Sequence, residues 1–416
     1  MNIWLINHYA VPTKYYPLAR PASFAKYLMR MGHTVTIFAA STVHNSDKNL
    51  ITDGALFHED NVDGIHYVYV RDCAYSGNGA SRILNMLLFP IRLPRVCKHF
   101  EKPDAILSVS ATPMACMQGL KLAKKYGCRG IAEVADLWPE SFVAYGMIGK
   151  RNPLLRFMYA YEKRMYAKAD ALIFTMEGGR DYIIEKGWDT AHGGPVDLNK
   201  VHHINNGVDL EVFDYNKEHY QIDDPDLEDP NTFKVVYTGS IRRVNGVEQL
   251  VDAAEVLKGR GENRVKLLIY GDGDEREQLK NEAKLKELGN IEFKGRINKE
   301  QVPYVLSKAD LCLLHWKPTP ITKFGMSMNK FFEYFAAGKP ILSNSVAGYD
   351  LIQKYQCGIS KDIGSDDEYA ECIVKMNKTP KNEFDTFCKN ARCAAENYNF
   401  KKLTENLITV IESVRV

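Results

Sequence analysis

Two hydrophobic rhythms alternate along most of the chain. Short apolar runs of strand character (IWLIN, TVTIFAA, AILSVS, GIAEVA) are separated by stretches such as Pro21–Met31 and PMACMQGLKLAKKYG, where apolar residues recur every three or four positions. Strand-like runs punctuated by amphipathic helices predict βαβ units and a parallel sheet. The rhythm breaks over Asn205–Asp229, where INNGVDLEVF leads into the acidic, proline-bearing DDPDLEDPN, and this polar stretch is expected to be a linker or boundary. It then restarts with FKVVYTGS, a helix over Val247–Arg260, VKLLIYGDG, a helix over Glu275–Leu288, IEFKG, a helix over Glu300–Ser307, LCLLHW, a further helix and PILSNS. The expectation is an α/β chain of two doubly wound, Rossmann-like domains, residues 1–205 and 206–395, facing a cleft. The last helical stretch, Glu396–Val416, is long enough to cross back onto the first domain. Ligands of such sheets bind beyond the carboxyl ends of the strands.

Composition narrows the class. A chain of 416 residues with 45% hydrophobic and 25% charged residues is expected to be globular, with two or three domains. A formal charge of +2 argues against a polyanion-seeking whole, so no nucleic acid partner is expected. The nine cysteines form no C-x-x-C pair, which argues against a zinc ribbon or redox motif and for reduced thiols in the cytoplasm. MNIWLINHYAVP lacks a basic leader and a small-residue cleavage site, so it is expected to be a first strand. No run reaches the ~18 apolar residues of a membrane span.

Candidate chemistry concentrates at strand ends. In the second domain the turns Gly239-Ser240, Gly271-Asp272-Gly273 and Gly295-Arg296 each follow a strand, where glycine lets a backbone approach a ligand closely. Arg242 and Arg243 follow the first turn. FGMSMNKFFEYFAAGKPIL predicts a helix capped by Ser327 or Asn329 and ended by Gly338. With Lys330 beside its start, that helix suits a diphosphate, and Glu333 suits the two hydroxyls of a ribose. The stretch reads equally well as an ordinary capped helix. Gly271-Asp272-Gly273 has Arg276 where a dinucleotide fingerprint needs its third glycine, and Asp272-x-Asp274 is better read as a turn cap than as a metal site.

In the first domain AEVADLWPES sets Glu133, Asp136, Trp138 and Glu140 just past a strand. Asp136 suits an acceptor hydroxyl and Trp138 the face of a sugar ring; the alternative is an Asp-capped helix start with a core tryptophan. HYAVPTKYYPLAR is a long loop after the first strand and offers His8, Tyr9 and Arg20 to an acceptor, although a lone histidine is commonly structural. Residues 81–102 and 150–168 are basic helical stretches carrying bulky apolar residues. They suit an anionic membrane surface, or else the solvated face of packed helices.

These motifs, taken in order, resemble the GT-B retaining glycosyltransferases of family four, in the branch building bacterial O-antigen and capsule repeats that includes N-acetyl-fucosaminyl-transferase-like proteins. The likeness rests on HYAVP, GHTVTIFAAS, VADLWPES, INNGVDLEVF, YTGS, IYGDGDEREQL, FKGRI and GMSMNKFFEYFAAGKPIL. It implies a UDP-sugar donor, held without metal or other cofactor by Gly239, Ser240, Arg243, Gly271, Gly273, Arg296, Gly325, Met326, Ser327, Asn329 and Glu333. It implies catalysis by Asp136, Arg242 and Lys330, and an acceptor saccharide, free or carried on a polyprenyl diphosphate, at His8, Tyr9, Arg20 and Trp138. From the cysteines, the lack of a spanning run and the two basic stretches, the expected place is the cytoplasm, at most peripheral to the inner face of the membrane. Two departures stand out: Gly325 replaces the first glutamate of the family's pair, leaving backbone amides of 325–329 as its substitute. Ser240 and Asn245 replace the usual Arg and Lys beside the first glycine turn. A UDP-sugar epimerase of the same fold and a non-catalytic nucleotide-sugar-binding protein are the alternatives.

Overall fold

The structure, a computed structural model, describes residues 1–415 apart from 16–18, 45, 76 and 78. Tyr16, Pro17 and Leu18 of the His8–Arg20 loop therefore lie outside the described residues. The chain divides into two compact units, Met1–Asn205 with Phe400–Val416, and Asn206–Asn399.

The first unit is built on the strands β1 (Asn2–Ile6), β2 (Thr34–Ala40), β3 (Phe57–Val62), β4 (Ile65–Val70), β5 (Ala105–Val109), β6 (Arg129–Val134), β7 (Ala171–Phe174) and β8 (Val201–His203). They form one sheet in the order β3-β4-β2-β1-β5-β6-β7-β8. Every neighbouring pair is parallel except β3–β4, a hairpin turned at Asp63-Gly64 with both residues at positive φ. The central strands are buried on both faces, which is why they appear in the sequence as unbroken apolar runs. The helices are α1 (Ala19–Arg30), α2 (Ala80–Val96), α3 (Pro113–Tyr126), α4 (Glu140–Ala144), α5 (Pro153–Lys168) and α6 (Gly179–Glu185). One face of the sheet packs against α1 and the carboxyl-terminal helix Phe400–Ser413; the other packs against α2 and α3. Both α2 and α5 lie against α3.

The second unit begins with α7 (Leu210–His219) and α8 (Pro225–Glu228). The stretch expected to be a polar linker thus holds a helix, which Asp209 caps by accepting the Val212 N–H. Strands β9 (Phe233–Thr238), β10 (Val265–Tyr270), β11 (Ile291–Gly295), β12 (Leu311–Leu314), β13 (Ile341–Ser343) and β14 (Gly358–Ser360) form a parallel sheet in the order β11-β10-β9-β12-β13-β14. The helices are α9 (Glu248–Gly259), α10 (Arg276–Leu285), α11 (Val302–Lys308), α12 (Asn329–Ala337), α13 (Leu351–Tyr355), α14 (Asp366–Asn377) and α15 (Lys381–Asn397). The carboxyl-terminal stretch is two helices rather than one: α15 ends at Asn397, and α16 (Phe400–Ser413) belongs to the first unit. Among the described residues no helix is long and apolar enough to cross a membrane.

Candidate functional site

Each sheet reverses its strand order at one place. In the second unit this lies between β9 and β12, and the loops leaving their carboxyl ends form the crevice where α/β sheets take ligands. The three glycine turns stand side by side there. Gly239 N–H donates to the Tyr270 carbonyl at 3.0 Å, Ile241 N–H to Asp272 O at 2.9 Å, and Gly271 N–H to Gly295 O at 2.9 Å. A Cβ on Gly271 would stand 1.7 Å from the Gly239 carbonyl oxygen, and one on Gly273 2.0 Å from that of Ile241. The sequence suggests that these glycines admit a ligand; the structure gives Gly271 and Gly273 a prior duty, which is to let one turn lie on the next.

Beyond β9 the loop is anchored rather than free at Ser240, whose hydroxyl donates to Asn245 Oδ1 at 2.9 Å while its carbonyl accepts from Tyr237 Oη at 2.8 Å. Arg242, Arg243 and Arg296 are all exposed. The Asp272 carboxylate accepts its neighbour Gly273 N–H at 3.0 Å, the arrangement of a turn cap.

Helix α12 starts without the cap expected of it. Its N-cap is Met328, whose side chain makes no cap hydrogen bond. Ser327 Oγ instead accepts the Asn206 N–H at 3.2 Å, and Asn329 Oδ1 accepts from the Asn206 side chain. The helix is fixed from below by Tyr334, whose buried hydroxyl accepts from Thr238 N and donates to Leu313 O, each at 3.2 Å. That one hydroxyl ties α12 to the ends of β9 and β12. Lys330 projects from the first turn; its Nζ donates to the His315 carbonyl at 3.2 Å and lies 4.4 Å from the Tyr237 ring centroid. Loss of hydration pushes the Lys330 amine down to about 7. His315, buried at the end of β12, donates Nε2–H to Gly246 O at 2.7 Å, and burial holds it neutral, down to about 4. One turn along, Glu333 is ion-paired with Lys299, a residue that sequence reasoning passed over because it lies on a different loop. Gly338 ends the helix in the left-handed conformation, as expected.

Gly325 has φ +100°, a conformation that side-chain-bearing residues avoid, so a glutamate here would be strained. Its own N–H donates to Thr322 O at 3.1 Å. Of the amides of 325–329 expected to take over the missing glutamate's contact, that of Gly325 is thus engaged within its own loop. Met326 lies in the same short loop, half-buried, as does Ser327.

In the first unit a cavity of about 320 Å³ opens beyond β1, β5 and β6, lined by Asn7, Tyr9, Arg20, His44, Arg82 and Asp136 among others. Asp136 is exposed in the turn after β6. Tyr9 is half-buried beside His44, with ring centroids 4.5 Å apart. Arg20 lines the cavity but is spoken for: Nε and Nη2 donate to Glu133 at 3.0 and 2.8 Å, and Nη1 and Nη2 to the Asn205 and Ile204 carbonyls at 2.6 and 2.9 Å. It serves as a buried strut for the site rather than as an acceptor ligand. His8 is likewise corrected. It is 1% exposed, is absent from the cavity wall, and donates Nε2–H to Asn85 Oδ1 at 2.8 Å beside Asp72. Burial holds its imidazole down to about 4 and pushes the Asp72 carboxyl up to about 7. Trp138 is half-buried, does not line the cavity, and packs edge-to-face on Phe142 at 5.9 Å. Glu140 is held by Lys186 and Tyr159, a structural role. His44 sits in no motif, and Arg82 belongs to the basic 81–102 stretch read as a membrane or solvated face; only the fold brings the two to this wall.

Comparison with known proteins places these two units. Residues 22–212 match the family model described as Glycosyltransferase Family 4, and residues 221–393 the one described as Glycosyl transferases group 1. "Probable glycosyltransferase WbjE" of Pseudomonas aeruginosa is 23% identical over 275 residues, spanning 66% of this chain and 64% of that protein. The matches to curated relatives span between 52% and 64% of those proteins. Among solved structures, Anabaena Alr3699/HepE in complex with UDP covers 99% of this chain and 100% of its own, at TM-score 0.65 and 15% identity. WaaG, a glycosyltransferase involved in lipopolysaccharide biosynthesis, covers 99% and 100% at TM-score 0.64 and 16% identity. The fold, two α/β sheets of mostly parallel strands, is that of the GT-B glycosyltransferases.

Proposed function

We propose that this chain, a Glycosyltransferase Family 4 domain followed by a glycosyl transferases group 1 domain, is a metal-independent retaining glycosyltransferase of bacterial surface polysaccharide synthesis. It moves a sugar, in our reading an N-acetylated aminosugar as in the N-acetyl-fucosaminyl-transferase-like branch, from a UDP-sugar to a saccharide, free or carried on a polyprenyl diphosphate. The observation that carries the reading is α12. An amphipathic helix opens at a strand-end crevice with no side-chain cap, with Lys330 on its first turn and Glu333 one turn on. A helix start with free amide donors and a lysine is a site for a diphosphate, and a carboxylate at that remove accepts from the two hydroxyls of a ribose. The likeness to HepE bound to UDP and to WaaG supports a nucleotide-sugar donor and a surface-polysaccharide setting.

Catalysis in this reading is electrostatic. As the bond from the anomeric carbon to the diphosphate breaks, charge grows on the departing phosphate, and Lys330 with Arg242 and Arg243 stabilises it. The acceptor hydroxyl attacks from the same face and gives its proton to the leaving phosphate oxygen, while Asp136 orients that hydroxyl. Gly239, Ser240, Gly271, Gly273 and Arg296 line the donor side, and Tyr9 the acceptor side. Fixed basic side chains supply the neutralising charge that other transferases draw from a metal.

The test is transfer itself: purified protein, EDTA, a panel of radiolabelled UDP-sugars, and a bacterial lipid extract as acceptor. The expected result is one labelled lipid-soluble product, with the linkage anomer of the donor by NMR. Label appearing only as an epimerised nucleotide sugar, or an inverted linkage, would overturn the reading.

A further inference from the structure

His315, the first residue beyond β12, makes more connections than the end of a strand requires. It is 1% exposed, so its polar groups must find their partners inside the protein. The Gly246 carbonyl, 2.7 Å from Nε2, can only accept, so the proton of the ring lies on Nε2. Nδ1 is then left to accept from the hydroxyl of Tyr369, on α14, at 3.3 Å. Burial keeps the ring neutral and so preserves this pairing. The His315 carbonyl takes a third partner, the Lys330 amine, at 3.2 Å. The main chain behind that carbonyl is clasped: Trp316 N–H donates to Asn344 Oδ1 and Asn344 Nδ2 donates to Trp316 O, each at 3.0 Å.

The partner of the ring matters because of where it stands. Gly246 is the residue at which the loop from β9 turns toward α9. Its φ is +71°, and a Cβ there would stand 3.3 Å from His315 Nε2 and 3.0 Å from Lys317 Cε. The loop carries Arg242 and Arg243, both exposed. It is pinned at its start by Ile241 N–H on Asp272 O at 2.9 Å, closed on itself by Asn245 N–H on Arg242 O at 2.7 Å, and pinned at its end by the His315 ring.

We propose that His315 is a positioning residue of the donor site, holding from one buried point both the turn that carries Arg242 and Arg243 and the amine of Lys330. The inference rests on the proposed transferase reading, in which those three cations face the diphosphate. Charge fixed before the reaction stabilises a departing phosphate better than charge that must be gathered during it. Long side chains on a loose turn would also lose more freedom when a ligand binds. The ring has a second effect. It lines a cavity of about 590 Å³ together with Glu248, Lys317 and Asn344 among others. Removing it enlarges that cavity beside the residue that holds Lys330, and water admitted there would relieve the burial that keeps the amine down to about 7.

The test compares the full chain with His315→Ala and His315→Gln. Glutamine places an amide N–H where Nε2–H stands and keeps the bond to Gly246; alanine loses the bond and opens the wall. Calorimetric UDP affinity is expected to fall about tenfold in His315→Ala, the effect of a buried carbonyl left without its donor. It is expected to stay close to wild type in His315→Gln, and to recover in part when free imidazole is added to the alanine variant. Titration of Lys330, followed by NMR of isotope-labelled lysine without nucleotide, is expected to climb in His315→Ala from about 7 toward the ordinary lysine value of about 10.4. The titration needs no donor, so it judges His315 by itself, whereas failure of the wild type to bind UDP would overturn the donor reading. Equal loss of UDP affinity in both variants, with circular dichroism showing both folded, would mean that bulk packing and not the Nε2–H bond is what counts. That result, or an unmoved Lys330 titration in His315→Ala, would overturn the proposal.

Discussion

Replacing Gly271 with alanine asks what the stacked glycine turns of the second unit are for. The new Cβ would stand 1.7 Å from the Gly239 carbonyl oxygen, itself backbone and unable to swing aside. A carbon–oxygen contact needs about 3.3 Å, so the two turns would have to part by roughly 1.6 Å. That movement breaks the Gly239 N–H to Tyr270 O and Gly271 N–H to Gly295 O bonds, 3.0 and 2.9 Å long. Each is worth about 1 kcal/mol net and as much as 3 kcal/mol if its groups stay buried and unpaired, which predicts a loss of about 2–6 kcal/mol. Against a domain stability of about 5–15 kcal/mol, the unit should fold but be much weakened. Urea unfolding of the full chain, followed by fluorescence of the buried Trp316 and the other tryptophans, reads the loss. Gly289→Ala is the control, since a Cβ there meets nothing within 4 Å, and a change within about 0.5 kcal/mol is expected. If Gly271→Ala were as stable as that control, turn-on-turn packing would not be what requires the glycine, and the account of the platform would fail.

Glu333→Gln keeps the shape of the side chain but removes its charge, and the proposed ribose contact should weaken UDP-sugar binding by at least tenfold, the worth of about 1.5–3 kcal/mol for a charged hydrogen bond. Calorimetry giving an unchanged Kd would exclude the contact. Lys330 makes donor binding pH-dependent with a definite sign: its amine is held down to about 7 in the free protein, and a bound diphosphate raises it. Binding then takes up a proton above pH 7, so affinity should fall as pH rises from 7 to 9; Lys330→Arg should flatten that slope, and an equally steep slope in the variant would contradict the assignment. Arg20→Met leaves Glu133 as an unpaired buried charge and should cost about 3–5 kcal/mol in unfolding experiments, with partial recovery on adding Glu133→Gln. A loss below 1 kcal/mol would mean that Arg20 is not the strut described.

How much of this was legible in the chain depends on distance along it. The central strands of both sheets were, because burial on both faces writes continuous apolar runs into the sequence. The β3–β4 hairpin was not: FHEDNV at the sheet edge is mostly polar, although Asp63-Gly64 carries the turn signal. Helix α7 was hidden in a stretch dominated by acidic and turn residues, where Asp209 acts as a cap rather than as loop. The loops of the candidate site could be located, since glycine turns and a helix start are local features. Which side chains are already committed could not be read, because their partners are remote. Arg20 answers to Glu133, His8 to Asn85, Glu333 to Lys299, and Ser327 to Asn206. The same holds for exposure: residues 81–102 and 150–168 looked like mixed basic helices, and only the fold shows that Glu162 faces inward and Ile83 and Ile91 outward.

The central claim is a nucleotide-sugar site at α12, and the most direct measurement is thermal unfolding of the intact protein with UDP-, GDP-, ADP- and dTDP-sugars in EDTA, repeated with Lys330→Ala and Glu333→Gln. The account predicts that one UDP-sugar at about a hundred times its Kd adds close to 2.7 kcal/mol of stability, seen as a shift of several degrees, and that both variants lose most of it. No shift with any nucleotide sugar, or an equal shift in both variants, would contradict it.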